Sequence, residues 1–283
     1  MERRPFGNTG VSLSIIGFGG IVVSKTEQSE ANRLVGEAFY RGINYFDVAP
    51  TYGNAQERLG PALQPYRQEV FLACKTTRRD AAGARAELEE SLRLLRTDHF
   101  DLYQLHGVAK MEDVEQILAP GGALEAFVAA RDQGLVRYLG FSCHLMEAAL
   151  ALMDAFPFTS ILFPVNFVAW YQGNFGPQAM EKAKEKDVAR LALKAMARTS
   201  WPAGAPRTYP KCWYQPIDDP ELASLALRWT LSQPITAAIP PGEVPLFRLA
   251  MDVADRFRPL TADEYSRLQE VAASLEPIFR MAA

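Results

Sequence analysis

The sequence of 283 residues contains little cysteine, no long apolar run and no marked excess of charge of either sign. Its three cysteines, Cys74, Cys143 and Cys212, lie far apart and form no C-x-x-C pair, which argues against a disulfide framework and against a zinc or iron–sulfur site. No apolar run approaches the roughly 18 residues of a membrane-spanning helix, and the N-terminus lacks the apolar core of a signal peptide. We therefore expect a cytoplasmic protein with no metal site and no membrane partner.

Charge and composition restrict the class of protein further. The chain has 30 lysines and arginines against 33 aspartates and glutamates, a net charge of −3, and no long block of like charge. A nucleic-acid partner is therefore not expected. Hydrophobic residues make up 48% of the chain and charged residues 22%, which is typical of a globular protein. A chain of this length is able to bury a large core.

Strand-like and helical segments alternate along the chain. Helical spacing or stop signals predict a helix after each apolar strand. The predicted strands cover residues 15–20, 43–47, 69–75, 100–106, 136–142, 160–166, 188–196 and 236–240. The predicted helices that follow them cover 27–41, 54–63, 80–96, 124–133, 145–155, 177–186, 219–232 and 246–257.

Two further segments flank this alternation. Turn residues at 7–10 predict a hairpin before the first long strand, and residues 262–275 predict an extra helix with a capping box at Thr261 and Glu264. Eight successive βα units imply a parallel sheet that closes on itself. The predicted fold class is α/β, a (β/α)8 TIM barrel with an N-terminal β-hairpin and an extra C-terminal helix, in a single domain over residues 1–283.

Four polar residues fall at the predicted C-terminal ends of three neighbouring strands, where barrel enzymes place their active sites. Asp47 ends the second strand and Tyr52 follows in its loop, while Lys75 and His106 end the third and fourth strands. Each taken alone is more often a turn former, a packed ring, a solvated lysine or a hydrogen-bonded core histidine. Together they suit proton transfer coupled to hydride transfer.

The chemistry of this set explains why these four residue types belong together. A phenol with its usual pKa of about 10 exchanges protons slowly at neutral pH, and we expect the Lys75 ammonium to lower the pKa of Tyr52. Asp47 then holds Lys75 charged and in place. Tyr52 is the expected general acid toward a carbonyl oxygen, and His106 the expected hydrogen-bond donor to the same oxygen.

These residues stand in segments that resemble the aldo-keto reductase family along the whole chain. The matching segments are Phe46–Gly53, Lys75 at the end of its strand, Asp101–His106 and Gly140–His144. The resemblance implies that Asp47, Tyr52, Lys75 and His106 are the catalytic tetrad. Residues 193–198 are similar to the Met-Lys-Pro-Leu segment of a bacterial subgroup that often carries a ferredoxin-like tail. Because Cys212 is the only downstream cysteine, we expect no such tail and no cluster here.

The resemblance also implies a nicotinamide cofactor across the barrel rim, without a G-x-G-x-x-G motif, and a small carbonyl substrate as partners. NADP(H) is more expected than NAD(H). The predicted cofactor-binding residues are Gly20, Ser142, Cys143, Asn166, Lys194, Met196, Pro241, Gly242 and Arg248. Ser142 could instead cap the helix that begins near Leu145.

Three features depart from the family pattern. The glutamine beneath the nicotinamide is replaced by an apolar residue near Leu162 or Phe163. The aromatic residue at the end of strand seven is absent, and Trp201, Trp213 or Tyr214 could replace it or pack as a lid.

At the 2′-phosphate site the expected lysine is lost and Glu243 is introduced. Arg248 could grip the phosphate or be only a solvated helix residue. Glu243 could bind a free ribose hydroxyl, which would favour NAD(H).

We expect an NAD(P)H-dependent reductase of small aldehydes or ketones. The alternative is a cofactor-binding sensor or regulatory subunit with negligible turnover, although such a protein has no need of all four tetrad residues. A lyase or isomerase barrel should show phosphate-binding glycines, and residues 198–201 show none. Specificity is expected from the loops 20–26, 107–122 and 199–218, whose aromatic content suits an apolar or aromatic carbonyl compound. A monomer is the expectation from the family.

Overall fold

The computed structural model describes residues 1–281. The strands in this range are β1 (Arg3–Pro5), β2 (Ser12–Ser14), β3 (Phe18–Gly19), β4 (Tyr45–Asp47), β5 (Phe71–Thr76), β6 (Phe100–Val108), β7 (Val136–Cys143), β8 (Ser160–Pro164), β9 (Ala189–Leu193), β10 (Ala197–Ser200), β11 (Tyr214–Pro216) and β12 (Ala237–Ile239). The antiparallel pair β1–β2 is the predicted N-terminal hairpin. A second antiparallel pair, β10–β11, joins the two ends of the long loop 201–213 and was not predicted.

Eight parallel strands form the barrel in the order β12-β9-β8-β7-β6-β5-β4-β3. The barrel closes between its first and last strands through a parallel bridge from Ile16 to Ala238, in which Gly17 N–H donates to Ala238 O at 2.9 Å. The predicted (β/α)8 TIM barrel is therefore confirmed.

Helices surround the barrel on its outer face. They are α1 (Gln28–Tyr40), α2 (Ala55–Leu63), α3 (Ala81–Leu94), α4 (Met111–Leu118), α5 (Ala123–Asp132), α6 (Met146–Ala155), α7 (Phe167–Gly173), α8 (Pro177–Glu185), α9 (Pro220–Leu231), α10 (Val244–Asp255) and α11 (Ala262–Ala273). Two 3₁₀ helices, Gly20–Val23 and Gln64–Glu69, add to them. The capping box of Thr261 and Glu264 at the start of α11 is confirmed.

The apolar residues divide into two main layers because strand side chains alternate between faces. One cluster fills the barrel interior and includes Tyr45, Leu102 and Leu191, and the hairpin side chain Phe6 closes its N-terminal end. The larger cluster lies between the sheet and the helices and contains Cys74 and Cys143, both fully buried as small apolar residues. The C-terminal end of the barrel is left open to carry a site.

Candidate active site

The strand alternation directs three of the four predicted catalytic side chains inward. On β4 the interior residue Tyr45 is followed two positions later by Asp47, and on β5 the interior residue Ala73 is followed by Lys75. On β6 the interior positions lead in steps of two to His106. Since β4, β5 and β6 are adjacent and parallel, these side chains converge at the C-terminal end of the barrel.

Asp47 and Lys75 form a buried ion pair at the base of this end. The Lys75 ammonium donates directly to Asp47 Oδ1, and each residue is only 1% exposed. The Tyr45 hydroxyl donates to the other carboxylate oxygen at 3.3 Å. The pair fixes the lysine beneath Tyr52, whose ring centre lies 5.8 Å from the Lys75 ammonium.

Tyr52 stands over this pair and beside His106. The two rings are nearly perpendicular, at 86°, with centroids 5.8 Å apart. Burial raises the pKa of the Tyr52 phenol well above its usual range, and the Asp47 charge raises the pKa further. The lowered pKa expected for Tyr52 is therefore not found in this structure, because burial and the Asp47 charge both raise it. The phenol keeps its proton at neutral pH.

His106 is a neutral imidazole in this environment. Burial lowers the pKa of His106 to about 3, and the positive charge of Lys75 lowers the pKa as well. Its Nδ1 lies 3.5 Å from Thr51 Oγ1. A neutral imidazole retains one N–H, so His106 is able to donate a single hydrogen bond into the space above Tyr52.

A cavity of about 300 Å³ opens above these side chains. Its lining comes from the C-terminal ends of strands and from the loops that follow them. The lining contains three lysines and neither aspartate nor glutamate, and consists of Ile21, Thr51, Tyr52, Lys75, His106, Ser142, His144, Leu162, Leu193, Lys194, Lys211, Cys212, Trp213, Tyr214, Ile239, Pro240, Pro241 and Gly242. The structure thus brings Tyr52, Lys75, His106, Ser142, Lys194, Pro241 and Gly242 of the predicted residues to one cavity, with Asp47 beneath.

Ser142 faces the cavity and does not cap α6. Its hydroxyl oxygen accepts the Gly107 N–H at 2.7 Å, and its own proton is left for a ligand. Helix α6 has Leu145 as its N-cap, with no side-chain cap. The alternative of a capping role for Ser142 is therefore wrong.

Four other predicted cofactor residues, Gly20, Cys143, Asn166 and Met196, are not brought to the cavity. Asn166 caps α7 by accepting from Ala169 N–H, and its amide donates to the carbonyls of Lys194 and Ala197. Cys143 is directed away from Ser142 by strand alternation, and its thiol lies within hydrogen-bond distance of two backbone carbonyls. Met196 is fully buried in the outer core.

Gly20 is enclosed by β4. A Cβ atom there would lie 2.7 Å from Val48 Cγ2, so the position serves close packing of the first 3₁₀ helix on the barrel.

The predicted phosphate site is occupied by internal contacts. Arg248 lies on α10 outside the cavity, and its guanidinium donates to both carboxylate oxygens of Glu37 at 2.8 to 3.3 Å. Glu243 accepts the backbone N–H of Lys211 at 2.7 Å. Arg248 is therefore an ion-paired helix residue in this structure, and Glu243 anchors the long loop 201–213.

That long loop contributes Lys211 to the cavity, a residue which the sequence did not single out. The Lys211 ammonium donates to Val22 O at 2.7 Å, so one residue ties together the loops that follow β3, β10 and β12. Trp213 and Tyr214 line the cavity, whereas Trp201 donates to Cys212 O. His144 was also missed, although it lies two residues after Ser142 and so follows the same inward alternation.

Comparison with known proteins agrees with this geometry. A sequence profile described as the Aldo/keto reductase family matches residues 15–211. The uncharacterized oxidoreductase YqkF of Bacillus subtilis is 26% identical over 95% of this chain and 96% of its own length. L-galactose dehydrogenase of Arabidopsis thaliana is 30% identical over 56% of this chain and 53% of its own. The aldo-keto reductase AKR11C1 of Bacillus halodurans, solved in a holo form, shares the fold with a TM-score of 0.74 at 24% identity over 96% of each chain.

The profile covers well over half of the chain, so the protein belongs to the aldo/keto reductase family. It is an oxidoreductase of a family that uses nicotinamide cofactors to reduce carbonyl groups. Between residues 1 and 281, none of the helices is both long and apolar enough to cross a membrane. In the same range, no cluster of three or more histidine, cysteine or acidic side chains is placed to hold a metal ion.

Proposed function

We propose that this protein reduces the carbonyl group of small aldehydes or ketones to alcohols with NADPH, using Tyr52 as the general acid. It would thus belong to the oxidoreductases that interconvert alcohols and carbonyl compounds with NAD(P), and it would act mainly as a reductase. The observation that supports this most directly is the convergence of Tyr52, His106 and the buried Asp47–Lys75 pair on one cavity.

The donors around the cavity fit an anionic nicotinamide nucleotide. Ser142 offers a free hydroxyl proton, and Lys211 offers positive charge without any acidic side chain in the lining. When bound, the cofactor supplies a hydride to the carbonyl carbon. Gly242 allows the backbone after β12 to lie close to Ile21, because a Cβ atom would stand 2.2 Å from Ile21 Cγ2.

Tyr52 and His106 act on the carbonyl oxygen. His106 is neutral and donates its N–H to that oxygen, while the Tyr52 Oη–H bond breaks and its proton moves to the oxygen as negative charge develops there. The raised pKa of Tyr52 keeps the acid protonated until the oxygen becomes strongly basic. The Tyr52 phenolate then takes a proton from water, and Lys75, held by Asp47, stabilises it in the interval.

The proposal is tested by following 340 nm absorbance with NADPH and a panel of neutral aldehydes. Replacing Tyr52 by Phe should lower kcat by roughly 100- to 10,000-fold, the range for loss of a general acid. Tyr40→Phe is the matched control, because Tyr40 is 79% exposed and remote from the cavity. Tight nucleotide binding without turnover of any carbonyl would instead favour the sensor function, and full activity of Tyr52→Phe would exclude Tyr52 as the acid.

We infer that NADPH is preferred to NADH, with Arg248 as the ligand of the 2′-phosphate. Glu243 is already engaged by the Lys211 backbone and is poorly suited to a ribose hydroxyl. Arg248 would exchange Glu37 for the phosphate, so Glu37→Gln should tighten NADPH binding and leave NADH binding unaltered. Arg248→Gln should weaken NADPH binding roughly 10- to 100-fold, as expected for a lost charge-assisted contact.

The measurement is quenching of tryptophan emission by each nucleotide. Arg33→Gln is the control, because it also removes one positive charge from an arginine that pairs with Glu37. If the parent protein and Arg248→Gln each bind NADPH and NADH with equal affinity, Arg248 has no part in the choice between the two nucleotides.

We further propose that the protein is a cytoplasmic monomer. Sedimentation or gel filtration at several protein concentrations measures the oligomeric state.

A further inference from the structure

Lys194 differs from the other two lysines of the cavity in the partners it makes. Lys75 is paired with Asp47, and the Lys211 ammonium donates to a backbone carbonyl. Within residues 1–281, the Lys194 ammonium makes neither a salt bridge nor a hydrogen bond with a protein group. Among the three cavity lysines, Lys194 is thus the one whose ammonium has no polar protein partner in the described part of the chain.

Two aromatic rings hold this cation in position. The Lys194 ammonium lies 5.3 Å from the ring centre of Trp213 and 5.1 Å from that of Tyr214, both within the range of a cation–π contact. Lys194 itself has a left-handed backbone with φ of 65°, uncommon for a lysine, at the end of β9. The turn and the rings together place the ammonium in the cavity rather than in solvent.

The ammonium also lies near the reacting end of the cavity. The charge of Lys194 is one of those that lower the pKa of His106, and it lowers the pKa of His144. Both histidines line the cavity together with Ser142. Burial lowers the pKa of Lys194 to about 8, so the ammonium keeps its proton at neutral pH. An anion in contact with it would favour this charged form of the lysine.

We propose that Lys194 binds an anionic group of the substrate, a carboxylate, so that the preferred substrates are carbonyl compounds that also carry a carboxylate. The inference rests on the proposed function, because it concerns the substrate of the same reaction. Its basis is this ammonium, the aromatic pair that positions it and a lining with no acidic side chain to repel a carboxylate. The flat face of Trp213, which is 43% exposed, suits an aromatic or apolar body between carbonyl and carboxylate.

The test compares benzaldehyde with 2-, 3- and 4-carboxybenzaldehyde, which share the reacting group and differ in the charge and its position. For the parent protein we expect kcat/KM at least tenfold higher for one carboxylated isomer than for benzaldehyde. Lys194→Met keeps the length of the side chain and should abolish this preference, mainly through KM. Lys194→Arg should keep part of it. Lys110→Met is the control, because Lys110 is an exposed lysine on the loop after β6 and does not line the cavity.

A second measurement does not depend on turnover. Benzoate should bind to the cofactor-free protein and alter the emission of Trp213, and the binding should be lost in Lys194→Met. If Lys194→Met instead weakens NADPH binding and lowers kcat/KM equally for all four aldehydes, Lys194 serves the phosphates of the cofactor and the inference is overturned. No preference for a carboxylated isomer also overturns it. Absence of turnover with benzaldehyde and with every isomer would overturn the proposed function itself.

Discussion

The neutral state of the two cavity histidines has a measurable consequence for stability. Burial holds the pKa of His106 at about 3 and that of His144 at about 4, whereas an unfolded histidine has a pKa of about 6.5. The unfolded chain therefore binds more protons than the folded chain between these values. Stability must fall as the pH is lowered from about 6.5 through this window.

The size of the effect follows from the linkage relation. By pH 5 an unfolded histidine carries nearly a full proton while His106 and His144 stay largely neutral, and the change from pH 7 costs about 2 kcal/mol for each. The two together give an upper value of about 4 kcal/mol. This is a large part of the roughly 5–15 kcal/mol that stabilises a typical folded protein.

Urea unfolding at pH 7 and at pH 5 measures this difference. The pH-dependent loss should shrink by about 2 kcal/mol in His144→Gln and by a similar amount in His106→Gln. His99→Gln is the control, because His99 lies beside Asp98 outside the cavity. If both cavity variants lose as much stability as the parent protein, the histidines take up protons within the fold, and His106 would not be the neutral donor assumed for the reaction.

Three other predictions follow from single features. Asp47→Asn leaves the Lys75 ammonium buried without its partner and should destabilise the protein by about 3–5 kcal/mol in urea unfolding. The double variant Asp47→Asn with Lys75→Met should recover much of this loss, and no recovery would mean that the pair is not the cause. Gly60→Ala in α2 should destabilise the fold, because the added Cβ would lie 2.4 Å from Leu94 O. This clash should outweigh the roughly 1 kcal/mol by which alanine is favoured over glycine in a helix. A raised melting temperature would contradict the close approach. Above pH 8, where Lys194 loses its proton, KM for the preferred carboxybenzaldehyde should rise while KM for benzaldehyde does not; parallel profiles would speak against the charge of Lys194.

The barrel was predictable because parallel strands buried on both faces appear as short apolar runs between helices. Two of the segments that escaped prediction lack such a signal. Helix α7 is packed between α9 and α11 and is apolar on most sides, so its sequence shows no amphipathic period. The hairpin β10–β11 pairs residues on either side of a long proline-containing loop, a contact that local sequence does not encode.

The convergence of the proposed catalytic residues was predictable for a similar reason, since they fall at strand ends and three of them share one face. The same alternation places Cys143 on the opposite face from Ser142, in the outer core. Asn166 could not be assigned in this way, because its direction is set by the N-terminus of α7. The raised pKa of Tyr52 comes from its burial and from the nearby Asp47 charge, which depend on tertiary packing and not on local sequence.

The closure of the barrel occurs where its strands are shortest. Strand β3 has two residues and β12 three, and they meet through the bridge between Ile16 and Ala238. The cavity straddles this junction, with Ile21 on one side and Gly242 on the other. A ligand bound there would contact both sides of the junction and hold β3 and β12 together. Amide hydrogen exchange along these two strands should therefore slow when the ligand binds.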